Sequence, residues 1–434
     1  MIKSRYSTQS FFSKKIDNCS SFWGIVIIAF FAISKVFEIK LLAYLGFFLA
    51  ILYAFLGDAF GSVLLVFLLI PNTGFEVIDG NSICGFYVIA VVLKHSLLGK
   101  FHFKVKRYLP LLCFFTLSVL SAIINDSLTA IVGLIKVVFF FGFMYIILDV
   151  YDKHIEIFLK NYVLGVVIGG VFGLFNRTVR GEDLLTITRY ERFLGLSGDP
   201  NYYSAIVVFA ISILLFLLLK NGRPFLLNSF ALLFLAFCGL ASLSRGFLVS
   251  LLVVLTILAL HLLFSKSTKH YLRIGIIVVV LLSFWIINKY TNITAMIAER
   301  LQESSLETGN GRIDIWNWYL RRVGSSLLNI LIGCGEASIA VNKGLVKYIE
   351  HNTYIQVLYE VGAIGFVLFF YSFIAFYKEA NRGKKNEHKY SLVSLMPLLS
   401  VVCSYLFLSQ MRGENFIICL LLSLLVISRT DSLE

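Results

Sequence analysis

Arg192, Arg245, Arg312 and His351 lie far apart in the chain, yet the distribution of Lys and Arg assigns all four to one side of a membrane. A guanidinium offers several donors in a fixed fork that fits phosphate oxygens, and an imidazole accepts a proton near neutrality. Three arginines and a histidine at the outer mouth of a helix bundle therefore suit a phosphate-bearing lipid and a proton transfer. Each residue also has a plainer role. Arg245, in Ser244-Arg245-Gly246 between two apolar runs, would mark the membrane boundary by snorkelling. Arg192 would pair with Glu191 or Glu182, Arg312 with Asp314 or Glu307, and His351 would be a hydrogen-bonded interfacial histidine. Asp199-Pro200-Asn201 makes a turn and cap ahead of a span, Asn352 or Thr353 caps another, and Lys136 and Glu360 fall inside spans, where a charge must face the bundle interior or a wet cavity.

The elements that must bring these residues together are membrane helices. With 59% hydrophobic residues, 15% charged and five prolines, the chain departs from soluble domains, which are roughly 45–50% apolar and about 25% charged. Crossing the hydrocarbon core takes about 20 mostly apolar residues, and such runs recur from 22–34 to 415–428. Several are short, so the expectation is an all-α polytopic bundle of 12 to 14 transmembrane helices. With a cytoplasmic N-terminus, alternation of fourteen runs puts 22 Lys and Arg inside and 15 outside, 7 of the latter in one long loop. Long loops cross largely regardless of charge, so the bias supports this orientation. It also accounts for most of the formal charge of +13 without a nucleic-acid partner. The first run has a basic flank (Lys3, Arg5, Lys14, Lys15) but no small-residue cleavage site, and reads as a retained helix. The seven cysteines show neither a disulfide framework nor metal-ligand spacing.

The chain divides into a bundle over 1–288 with an outer loop at 176–200, a large outer (periplasmic) loop over 289–352, and C-terminal helices over 353–434. Outer segments of that length are usually functional. In the long loop, Ile293 to Leu306 suits one short helix and Ile313 to Leu331 a second, amphipathic one whose Trp316, Trp318 and Tyr319 favour the interface. A Gly309-Asn310-Gly311 turn presents Arg312, and Gly333-Cys334-Gly335 breaks the chain after the second helix. No internal repeat of the kind found in many transporters is visible.

Ser-Arg-Gly at 244–246, Gly-Arg-x-x-x-Trp (Gly311, Arg312, Trp316), Gly-x-Gly (Gly333, Gly335) and His-Asn-x-Tyr with Glu-x-Gly-x-x-Gly (His351, Asn352, Tyr354; Glu360, Gly362, Gly365) resemble the O-antigen ligase and polymerase superfamily. The resemblance covers about 190–370 and includes the Asp-Pro-Asn turn at 199–201. It implies a GT-C-like membrane glycosyltransferase of the inner membrane, acting on an undecaprenyl-diphosphate-linked oligosaccharide at the outer face. It further implies that Arg245 and Arg312 hold the lipid diphosphate and that His351 activates the acceptor. Arg192, Asn201, Trp316, Asn352 and Tyr354 join them as expected substrate-binding residues. Without an Asp-x-Asp pair in the outer loops, arginines take the place of a metal, so neither metal nor cofactor is expected, and transfer would be inverting. The expected function is a polysaccharide polymerase that adds glycan to a lipid-linked acceptor repeat unit, working beside a chain-length regulator and a flippase. The alternatives are a ligase that moves glycan onto lipid A core and, from another class, a lipid-linked oligosaccharide flippase.

Overall fold

The computed structural model describes residues 22–72, 76–78, 81–127, 130–188, 190–221, 225–264, 270–302, 311–382 and 391–429. The basic N-terminal flank and the Gly309-Asn310 turn lie outside them. In chain order the helices are α1 (Phe22–Phe37), α2 (Lys40–Leu56), α3 (Ala59–Leu69), α4 (Ile83–Leu97), α5 (Val105–Ile124) and α6 (Ala130–Val150). They continue as α7 (Ile155–Val179), α8 (Pro200–Asn221), α9 (Phe225–Ala241), α10 (Arg245–Phe264), α11 (His270–Tyr290) and α12 (Ile293–Gln302). The last six are α13 (Arg312–Val323), α14 (Leu327–Ile332), α15 (Ala337–Asn342), α16 (Thr353–Ala380), α17 (Leu395–Ser404) and α18 (Glu414–Arg429). The apolar runs of the sequence are thus helical, and the all-α polytopic class holds. A minor addition is a short antiparallel ladder between β1 (Glu76–Ile78) and β2 (Asn81–Ser82).

Length separates the helices. Among the described residues six, α5, α6, α7, α8, α10 and α16, are long and apolar enough to cross a membrane, and α11 with α12, bent by 87°, makes a seventh if the pair is one broken span. This is fewer than the 12 to 14 expected, because α1, α2, α3, α4, α9 and α17 are shorter. The shorter α3 ends beside the middle of the 25-residue α7, where the Asn72 amide donates to the Gly165 carbonyl at 3.2 Å. The start of α18 meets the same level: Asn415 donates to the Ile70 carbonyl at 3.0 Å, and Ser82 bonds Glu414. Polar side chains this deep in an apolar bundle are expensive unless paired, and the Asn72 amide nitrogen, Asn415 and Glu414 are paired, whereas Asn72 Oδ1 has no partner among the described residues.

Polar contacts sort the connections into two ends. At one end Lys94 bonds the Gly57 carbonyl, Arg107 pairs with Asp149 and Glu379, Lys220 with Glu156, and Arg429 with Asp152. At the other, Lys35 reaches the Leu196 carbonyl, Asn292 pairs with the Ile187 backbone, and Arg412 contacts Glu336. These are the two groupings that alternation of the runs dictates.

The long loop departs from expectation in two places. Its first helix, α12, forms as expected over the described part of its range, Ile293–Gln302, and follows α11 across the bend. The helix expected over Ile313 to Leu331 is two helices, because Gly324-Ser325-Ser326 interrupts it and Ser326 caps α14 through the Asn329 N–H at 3.1 Å. A further helix, α15, follows Gly335. The Gly-x-Gly and Glu-x-Gly motifs prove to be one contact. Gly333 (φ 88) and Gly362 (φ 67, ψ −173) lie backbone to backbone, and a Cβ on Gly362 would come within 2.5–2.6 Å of the Leu331 carbonyl and the Gly333 nitrogen. The Cys334 N–H donates to the Tyr359 carbonyl at 2.7 Å, a carbonyl in the turn of α16 just ahead of its break at Gly362.

Candidate active site

Three helix N-termini converge at the second end. Asp199 caps α8, accepting from the Asn201 and Tyr202 N–H groups at 2.7 and 3.1 Å, with Pro200 in the first turn where its missing N–H costs nothing. Ser242, Leu243 and Ser244 make the whole connection from α9 to α10, with Leu243 at φ 49 and Ser244 accepting from the Phe247 N–H at 3.4 Å. Gly311, at φ 81, turns the chain into α13. The positive ends of three helix dipoles and their first-turn N–H groups favour an anion between them.

The cavity they enclose measures about 310 Å³, and its lining includes Arg192, Arg245, Arg300 and Arg312 with Asn201 and Trp316. Arg192 is oriented by two acceptors, the Ser242 carbonyl at 2.7 Å and Asn201 Oδ1 at 3.0 Å. Glu182, one of the acids that might have claimed it, is held by Arg177 at 3.2 Å. The Arg312 guanidinium lies 5.7 Å from the Phe407 ring centroid. Burial, with Arg300 and Arg245 close by, brings the Arg192 pKa down to about 10, Asp199 opposing. Burial and Arg245 lower that of Arg312 as well. Both shifts express first the cost of burying a cation and then that of crowding it with others, and a bound polyanion would relieve the second.

Arg300 is the lining arginine that sequence analysis passes over. It follows Ile293, Met296 and Ile297 at helical spacing, so it occupies the inward stripe of α12, and that periodicity was the available signal.

His351 sits beside this cavity rather than among its lining residues. Burial and the Arg312 charge lower its pKa from the ordinary histidine value while Asp199 raises it, a balance that favours the neutral imidazole. Its backbone is held at φ 48, a strained conformation for a residue with a Cβ. The surroundings impose it. Trp316 Nε1 donates to the Glu350 carbonyl at 2.7 Å, the Asn352 N–H to Ser409 Oγ at 3.2 Å, and the Thr353 N–H and hydroxyl to the Tyr405 and Leu408 carbonyls at 3.0 and 2.6 Å. Trp316 therefore does two things: it lines the cavity and pins the histidine's segment.

Two expected binding residues are engaged elsewhere. Asn352 Oδ1 caps α16 by accepting from the Tyr354 and Ile355 N–H groups at 3.0 and 3.1 Å. The Tyr354 hydroxyl donates to the Val402 carbonyl at 2.9 Å, and its ring stacks on Phe370. The structure brings neither to the arginine cavity. Glu360 accepts from Gln356 at 3.0 Å and from the Ala337 N–H at 3.3 Å and pairs with Arg412, which joins the floor of the site to the long loop.

Glu350 lies in the same floor and is 1% exposed. Neither carboxylate oxygen makes a hydrogen bond of normal geometry with the described residues. Burial and Glu360 push its pKa up to about 7, with the nearby Ser409 hydroxyl and Arg412 pulling back. A carboxyl whose folded pKa is raised destabilises the docked loop as pH climbs from its ordinary value near 4.5 to about 7, and no further above that. The accumulated cost is about 3 kcal/mol. We expect Glu350→Gln, which mimics the protonated acid, to raise the thermal midpoint at pH 8 and leave it unchanged at pH 5. Identical pH dependence in both proteins would refute this.

A search of curated proteins finds no match to the chain. Residues 230–370, which include Arg245, Arg300, Arg312, Trp316, His351 and Gly362 but not Arg192 or Asn201, match the family model described as O-antigen ligase. This domain is similar to the O-antigen ligase and polymerase superfamily, and the apolar helices around it are those of a multi-pass membrane protein.

Proposed function

We propose that the chain is a polysaccharide polymerase of the inner membrane. It transfers glycan from an undecaprenyl-diphosphate-linked donor to a lipid-linked acceptor repeat unit at the outer face. The observation that carries this reading is the cavity itself: four guanidinium groups and three helix N-termini around one space, with the His351 imidazole beside it. Arg192, Arg245 and Arg312 hold the donor diphosphate. The acceptor hydroxyl attacks the anomeric carbon from the face opposite the diphosphate, and its proton passes to His351. The new glycosidic C–O bond forms as the bond to the diphosphate breaks, and the lipid diphosphate leaves with the electron pair, giving inversion. Cations concentrated at the leaving group supply the charge compensation that many transferases draw from a divalent metal, and this cationic lining repels such an ion.

Asn201 serves by orienting Arg192, Trp316 by pinning the His351 segment, and Asn352 by capping α16. For Tyr354 the structure supports only a packing role. The transport reading is weaker: at the opposite end Arg107, Lys220 and Arg429 are all in ion pairs, whereas the arginines of the cavity crowd one another. The ligase reading is favoured by one finding, the description of the matched family.

Glycan profiling of a strain lacking the protein separates them. A product stalled at one repeat unit on its final carrier is expected. Long chains accumulating on undecaprenyl diphosphate and missing from lipid A core would make the protein a ligase, and an unchanged profile would remove both readings.

A further inference from the structure

We propose that Arg300 is a fourth phosphate ligand of this site, carried by the outer half of a broken span and placed to take the phosphate nearest the lipid. The proposal rests on the diphosphate-linked donor inferred above. Its first support is the helix that carries the residue. At the bend between α11 and α12, Asn292 accepts from the Ile187 N–H at 2.8 Å and donates to the Ile187 carbonyl at 2.9 Å. Ile187 belongs to the same outer loop as Arg192, so one side chain fixes α12 relative to that loop. Beyond the bend Ile293 is buried, Met296 and Ile297 pack on the core, and residues 295, 298 and 299 are exposed. The inward stripe then ends on Arg300 at the cavity wall. An arginine closing an otherwise apolar stripe brings a guanidinium fork, a shape suited to phosphate oxygens, to the cavity wall.

The second support is what lies next to it. An apolar groove of about 270 Å³ runs between α8, α9, α10 and α11, lined by Ile211, Leu240, Leu248, Val280, Phe284 and Ile287 among others. On α10 its lining begins at Leu248, about 3 Å along the helix from Gly246 of the arginine cavity. On α11 it ends at Ile287, one turn before Thr291 and the bend that sets α12. A diphosphate in the cavity with its hydrocarbon chain in the groove would have its lipid end toward the bend that sets α12, and Arg300 is the cavity arginine on that helix.

The test uses the full-length protein in lipid nanodiscs and measures binding of farnesyl diphosphate, farnesyl monophosphate and inorganic pyrophosphate. Wild type should prefer the farnesyl diphosphate. Arg300→Gln should weaken that ligand about tenfold or more, the scale of one charge-assisted hydrogen bond, and weaken pyrophosphate less. Glu299→Gln, exposed on the same helix, should bind as wild type does. If Arg300→Gln fails to fold, Arg300→Lys keeps the charge without the fork and should show a smaller loss in the same order of ligands. Wild-type affinity for farnesyl diphosphate in the Arg300 variants, or equal losses for it and pyrophosphate, would overturn the assignment while leaving the transferase reading intact. Failure of the wild type to bind either diphosphate would overturn that reading and the inference with it.

Discussion

Gly362→Ala is expected to leave little folded protein. The φ and ψ of Gly362, 67° and −173°, belong to a region that only glycine occupies comfortably, and a Cβ there would meet Leu331 and Gly333 backbone atoms at 2.5–2.6 Å. Backbone cannot turn aside as a flexible side chain can. Strain of about 1–3 kcal/mol adds to the loss of the contact between α16 and the Gly333-Cys334-Gly335 segment. The sum should exceed about 4 kcal/mol, the scale of the most damaging single substitutions. The Cys334–Tyr359 backbone bond and the Glu360 bond to the Ala337 N–H depend on that contact. The measurement is the amount of monodisperse protein extracted from membranes and its thermal midpoint. A normal midpoint would show that the two backbones are not held in register as described. Gly344→Ala makes a useful comparison: its φ of 69 strains any Cβ, but nothing lies within 4 Å, so its cost should be the smaller.

Arg312→Ala should have the opposite signature, a folded protein that does not transfer. Removing a guanidinium aimed at the leaving diphosphate should lower the rate roughly 100- to 1000-fold. Stability should hold or rise, because Arg312 and Arg245 repel each other and the crowding ends with either one. Arg245→Ala should behave alike. The pH profile adds an independent readout. With its pKa lowered by burial and by Arg312, His351 stays neutral down to below pH 6.5, its ordinary pKa, so wild-type activity should fall only on the acid side of that value. Without Arg312 one lowering influence is gone, and the acid limb of the residual activity should move to higher pH, whereas Arg312→Lys should leave it nearer the wild-type position. Near-normal rates in both alanine variants at matched expression would reject the cavity as the active site. An unmoved acid limb in Arg312→Ala would show that His351 is not the group that takes the proton.

Local sequence carried much of this. Apolar run length specified the helices, because a chain in hydrocarbon must satisfy its backbone internally, and alternation of the runs sorted the connections into the groups that touch. Short-range chemistry was equally legible: Asp199-Pro200 and Asn352 are caps because their side chains reach N–H groups two or three residues ahead. That three arginines share one wall followed from the same sorting, since residues confined to one end of a bundle have few places to go.

Tertiary structure decided the rest, for reasons of distance along the chain. Helical spacing could place Arg300 on the inward stripe of α12, but the 87° bend and the Asn292–Ile187 clasp, which joins residues 105 positions apart, carry that stripe to the cavity. The unmet carboxyl of Glu350 appears only when Glu360, Arg412 and Ser409 close around it. The glycine motifs and His-Asn-x-Tyr look alike in the sequence as marks of chemistry. In the fold, Gly333 and Gly362 serve backbone contact, Asn352 and Tyr354 serve capping and packing, and His351 alone of that stretch stands beside the arginines, held at a positive φ by its neighbours' bonds to the segment between α17 and α18.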